Sequence, residues 1–128
     1  MLNNNYILKH TLQKCEANHQ SDICVKSFNK NYNINPNQIL FIKSDSNYST
    51  IFYMTNQLQK VFTSRTLKHW HTKFDSDKLI KIHNSYLINK DMIKSINRSN
   101  KTVQIQEEIV IPYSRGCSKL VNSLKILY

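Results

Sequence analysis

The stretch Lys81-Ile82-His83-Asn84-Ser85-Tyr86-Leu87-Ile88-Asn89 reads as two strand segments interrupted by a polar triplet. Alternation through Leu79-Ile80-Lys81-Ile82, and aromatic and branched residues after the break, both carry the strand period. The His-Asn-Ser triplet between them offers hydrogen-bond donors and acceptors with little apolar bulk. Asn84 has an acceptor oxygen and a donor NH2, so it can pair with adenine or another base edge. The same triplet also reads as a hairpin connection, because Asn and Ser side chains close turns on their own backbone.

Working outward, the flanks continue in short strands. Ile39-Leu40-Phe41-Ile42 is the most apolar run and is expected to be a buried strand. Lys43-Ser44-Asp45-Ser46-Asn47-Tyr48 is a polar turn, and Ser49 to Met54 forms the next strand, with a hairpin at Thr55-Asn56-Gln57. Upstream, a first strand is expected from Ile23 to Phe28, with Asn29-Lys30-Asn31 as turn material. Ser64 stands where a helix N-cap belongs, and Leu67, Trp70, His71 and Phe74 then follow at helical spacing. Downstream, Met92 to Ile96 and the strictly alternating Thr102 to Gln106 read as strands around a basic turn, Asn97 to Lys101. Ile109-Val110-Ile111 follows Glu107-Glu108, Pro112-Tyr113-Ser114-Arg115-Gly116 breaks the pattern, and Leu120, Leu124 and Leu127 suggest a closing helix. Many short strands with one internal helix predict a mainly β, antiparallel domain. Residues 5–18 can form a helix with Leu8, Leu12 and Cys15 on one face. The domain boundary is expected near residue 21, giving a linker-like segment over 1–21 and the β domain over 22–128.

Composition narrows the function. The 128-residue chain carries 18 Lys+Arg against 8 Asp+Glu, a formal charge of +10, which favours polyanionic partners, nucleic acid first. No apolar run approaches the roughly 20 residues of a membrane helix, and the N-terminus lacks the pattern of a secretion signal. Cys15, Cys24 and Cys117 are scattered without metal or disulfide spacing, so a reducing cytoplasm is the expected compartment. A single Gly leaves no phosphate-binding glycine loop. His69 and His71, two apart on a helix, do not share a face, and nothing around His83 and Ser85 resembles a nucleophile elbow. No catalytic residue, metal or cofactor is expected.

What remains is a set of polar turns holding Asn47, Asn84 and Arg115, side chains that can make bidentate contacts with bases. Here the chain resembles a known family. Ile39-Leu40-Phe41-Ile42 with Asn47-Tyr48, Phe62-Thr63 with Leu67, the run from Ile82 to Asn89, and Ile111-Pro112-Tyr113-Ser114-Arg115 together are similar to the LytTR-type DNA-binding domain, over about residues 23–124. The resemblance implies an elongated, ten-stranded β fold with short terminal helices that binds promoter DNA. Two copies usually sit on direct repeats, and loops enter successive major grooves.

Carried over by position, the resemblance implies base contacts at Asn47, Asn84 and Arg115, and phosphate contacts at the neighbouring Tyr48, Lys81 and Ser85. Surface lysines such as Lys101 and Lys119 are expected to meet phosphates through charge alone, without regard to sequence. It implies that His83 orders its loop from inside. Most family members place this domain after a receiver domain, whereas only some 22 residues precede it here, and residues 6–15 look like the inter-domain linker of accessory gene regulator-type response regulators. The chain is then either a stand-alone bacterial regulator or the DNA-binding part of a longer one. Two rivals stay open: an interaction module that pairs with and modulates a full-length regulator, and binding of RNA by the same loops.

Overall fold

Ile39, Leu40, Phe41 and Ile42 are all buried, which requires cover on both faces of the strand that carries them. The computed structural model describes residues 22–74 and 77–124 and supplies that cover as two separate cores. The expected N-terminal helix and Leu127 lie outside the described residues. Ten strands, β1 (Ile23–Ser27), β2 (Lys30–Ile34), β3 (Ile39–Asp45), β4 (Tyr48–Met54), β5 (Leu58–Thr63), β6 (Leu79–His83), β7 (Tyr86–Asn89), β8 (Ile93–Asn97), β9 (Thr102–Ile105) and β10 (Ile109–Pro112), form three antiparallel sheets. Helix α1 (Leu67–Lys73) lies between β5 and β6, and α2 (Ser118–Asn122) follows β10.

The central sheet has the order β5-β4-β3-β7-β6. On one face, Ile39, Ile42, Ile51, Tyr53, Val61, Leu79 and Leu87 pack with Val25 and Ile34 of the β1–β2 hairpin and with Leu67, Trp70 and Phe74. On the other, Leu40, Phe41, Ile82 and Ile88 pack with Ile93, Val103, Ile105 and Ile111 of the β8–β9–β10 sheet, and with Tyr113 and Val121. A bulge in β3 explains the division: Ile39 pairs with Tyr53 and Phe41 with Phe52, leaving Leu40 as the extra residue. Leu40 and Phe41 therefore enter the same core although adjacent in sequence. Phe41 stacks on Phe52 at 4.3 Å between ring centroids.

Several boundaries differ from the sequence reading. The first turn is two residues, Phe28 and Asn29, with β2 already begun at Lys30. Phe28 has φ 56° and is almost fully exposed, so it belongs to the turn and not to β1. Thr66, not Ser64, caps α1, because its hydroxyl is the one that reaches the His69 N–H, at 3.2 Å. Of the expected stripe, Leu67, Trp70 and Phe74 are buried, while His71 is half-buried. Met92 lies in a 3-10 turn, Lys90–Met92, because Asn89 caps that turn and delays the strand to Ile93. Pro112 ends β10 without breaking it. In α2 the buried residue is Val121, and Leu120 is exposed.

Asn89 closes the diagnostic stretch and is itself buried, at 1% exposure. Strand β7 turns away at Lys90 before its backbone can pair with Ile39. The Asn89 side chain makes that bond instead, donating from Nδ2 to the Ile39 carbonyl at 2.9 Å. Its Oδ1 accepts from the Asp91 N–H at 3.0 Å. Replacement by Ala leaves the buried Ile39 carbonyl without this partner, at a cost of about 1–3 kcal/mol for an unsatisfied buried group, whereas the Asp91 N–H is only part-buried. Urea denaturation of Asn89→Ala is expected to show a lowered midpoint with an unchanged m-value. A midpoint equal to the wild type's would mean that the side chain is dispensable.

Candidate nucleic-acid interface

At one edge of the central sheet, β5 ends, β4 begins, β3 ends, β7 begins and β6 ends. The connections at this edge are therefore neighbours although the chain visits them far apart in sequence. Between β3 and β4 lie Ser46 and Asn47. Between β6 and β7 lie Asn84 and Ser85. The Ser44 N–H donates to the Ser85 carbonyl at 2.8 Å, joining the end of β3, just before its turn with β4, to the β6–β7 turn. The Ser114 N–H donates to the Ile82 carbonyl at 2.9 Å and brings the Arg115–Cys117 3-10 turn to the same edge. The Tyr113 N–H donates to the Lys101 carbonyl at 3.0 Å and adds the turn between β8 and β9.

Each turn has a local cause. Ser46 has φ 57° at the first of two turn residues, the geometry that lets a tight hairpin follow the strand twist. A side chain in that region is strained, so the flanking β3–β4 ladder, paired from Asp45 with Tyr48 inward, must hold it. In β6 a bulge between Lys81 and His83 leaves Ile82 as the extra residue, buried in the second core. His83 then packs edge-on against Tyr86, ring centroids 5.5 Å apart. Its Nδ1 accepts from the Ser85 N–H at 3.1 Å, so His83 does order its loop from within. In the β8–β9 turn, Asn97 Oδ1 accepts from the Asn100 N–H at 2.9 Å and Lys101 takes φ 56°. Arg98 Nε donates to Asn122 Oδ1 at 3.1 Å, tying that turn to α2.

Asn47, Asn84 and Arg115 are all exposed on this edge. Tyr48 is exposed beside Asn47, Ser85 is half-buried, and Lys101 is half-buried in its turn. Lys81 is exposed but sits on β6, at the middle of the strand and not in the turn, and Lys119 is exposed on α2. Tyr113, expected in a polar turn, is a core residue at 4% exposure, and its burial anchors the turn that presents Arg115. The ion pairs Lys78–Asp91 and Lys94–Glu108 stand at the opposite edge, away from this row.

One more connection shares the edge, and no sequence motif marks it. Residues 64–66 join β5 to α1, and by the β4–β5 register Ser64 lies across from Tyr48. Ser64 and Arg65 are exposed. Only the order of strands in the sheet places them beside Asn47.

No helix among the described residues is long and apolar enough to cross a membrane. The profile of the LytTr DNA-binding domain matches residues 29–125. Among solved structures, this chain is similar to the LytTr DNA-binding domain of a Bacillus cereus protein assigned as a methyl-accepting/DNA response regulator. The TM-score is 0.69 at 14% identity, covering 82% of this chain and 96% of that one. No curated protein matches the chain. The ten-stranded antiparallel architecture, shared with that domain, and the family match over residues 29–125 agree: this chain belongs to the LytTR family, a family of DNA-binding domains rather than of enzymes.

Proposed function

We propose that this chain is a sequence-specific regulator of transcription, acting in the cytoplasm of a bacterium, whose row of turns reads successive major grooves of a direct-repeat promoter site. The observation that carries this reading is the stitching of three exposed turns, holding Asn47, Asn84 and Arg115, into one edge by backbone hydrogen bonds. A rigid row of this kind presents bidentate side chains at fixed spacing. The turns of Asn47 and Asn84 stand two strand spacings apart, about 10 Å, comparable with the ~12 Å width of a major groove. The Arg115 and Lys101 turns extend the row beyond β6, so separate turns can reach separate grooves.

In this reading Arg115 donates to a guanine edge, and Asn47 and Asn84 meet base edges. Tyr48, Lys81, Ser85, Lys101 and Lys119 touch phosphates. The partner is double-stranded DNA, with a second copy of the chain on the adjacent repeat. Residues 1–21 serve as a linker to the domain at 22–128. Phosphate contacts set affinity and its salt dependence, whereas base contacts set specificity.

The test is selection from a random duplex library followed by anisotropy titration at low and near-physiological salt. A direct-repeat site that stays tight as salt rises supports the reading. Binding that collapses with salt, with no sequence enriched, would reduce the charge to non-specific attraction and favour an interaction module acting on a full-length regulator. On the selected site, Arg115→Ala is expected to cost about 1–3 kcal/mol and relax preference at one base. Unchanged specific affinity would remove Arg115 from the base-reading set. Lys101→Ala and Lys119→Ala are each expected to weaken all sequences alike and to lower the slope of log K against log salt by about 0.9.

A further inference from the structure

The corner between β5 and α1 is built more firmly than a surface loop needs to be. Trp70 is buried, and its Nε1 donates to Ser49 Oγ at 3.0 Å and to Thr63 Oγ1 at 3.2 Å. Ser49 Oγ in turn donates to the Arg65 carbonyl at 2.7 Å, and the Arg65 N–H donates to Thr63 Oγ1 at 3.1 Å. The backbone of Arg65 is thus held from both sides by a network rooted in the core, while its side chain is exposed.

Charge makes the placement informative. The turn between β3 and β4 runs Asp45-Ser46-Asn47-Tyr48 and contains an acid but no cation. Arg65 lies next to it in sheet order, one residue past Ser64. Helix α1 starts at this edge and leads back under the sheet toward β6, so Lys68 is in its first turn and Lys73 at its far end. Burial chiefly, with a smaller contribution from the Arg65 and Lys73 charges on either side, lowers the His69 pKa below the ordinary histidine value.

We infer that the β5–α1 corner is a further DNA-contacting element, in which Arg65 and Lys68 grip backbone phosphates flanking the bases beneath Asn47. This rests on the DNA-binding reading above and adds a contact at the outer end of the row. The network through Trp70, Ser49 and Thr63 positions the corner and touches no DNA itself.

The experiment uses the full chain and the selected duplex. Arg65→Ala and Lys68→Ala are each expected to lower the salt slope by about 0.9, and the double variant by about 1.8. The selected sequence should stay the same. Arg65→Lys should keep most of the slope, and Trp70 emission should confirm an unchanged fold. Trimming the duplex stepwise from each end should, at one end only, bring wild type and the double variant to equal affinity. An unchanged slope in the double variant, an equal loss from Lys73→Ala, or a loss indifferent to duplex length would each overturn the inference. Those results differ from failure of the main reading, in which no sequence is selected at all.

Discussion

Burial of β3 on both faces is the constraint from which the rest of the structure follows. A strand with four consecutive apolar residues cannot be satisfied by one covering layer. The chain therefore surrounds it, with the β1–β2 hairpin and α1 on one side and the β8–β9–β10 sheet on the other. Burying a large aliphatic side chain stabilises by about 1.5–3 kcal/mol, and the two cores share the effect across every element. The bulge at Leu40 lets adjacent residues feed the same core.

That two-sided core also fixes the turns. With five strands locked in register, the connections at one edge have no freedom to separate. Backbone hydrogen bonds from Ser44, Tyr113 and Ser114 then bind neighbouring turns into a single row. Residues with polar tips, which would each be mobile on an isolated loop, are held by buried ones close behind: Ile82 behind Asn84, Tyr113 behind Arg115. The strained Ser46 and Lys101 backbones persist because flanking ladders determine them.

The row has a mixed composition. Asn47 and Asn84 are neutral and directional, suited to contacts that depend on geometry. Arg115, Lys101 and Lys119 bring charge, which acts at longer range and weakens with salt. At the opposite edge two lysines are instead paired with acids, Lys78 with Asp91 and Lys94 with Glu108.

Much of this was legible in the sequence. The unbroken apolar run at Ile39 announced the central strand, period-two alternation marked most of the others, and the stretch from Ile82 to Asn89 with Ile111 to Arg115 pointed to the family. Those signals are local, so they survive without knowledge of the fold. The ends of strands and of α1 were less legible where a turn or a cap rather than a pattern sets them, as at Phe28, Met92 and Thr66: there a positive φ or a capping hydrogen bond decides, and neither has a hydrophobic period. Tyr113 read as polar because its neighbours are, while its own ring is packed in the core. What only the tertiary structure decided is adjacency. The sheet order β5-β4-β3-β7-β6 places Ser64 and Arg65 beside Asn47, and backbone bonds between residues 32 and 41 positions apart join the turns. No window of sequence carries that information, because pairing between distant strands is settled by how two cores fill together and not by any residue's own preference.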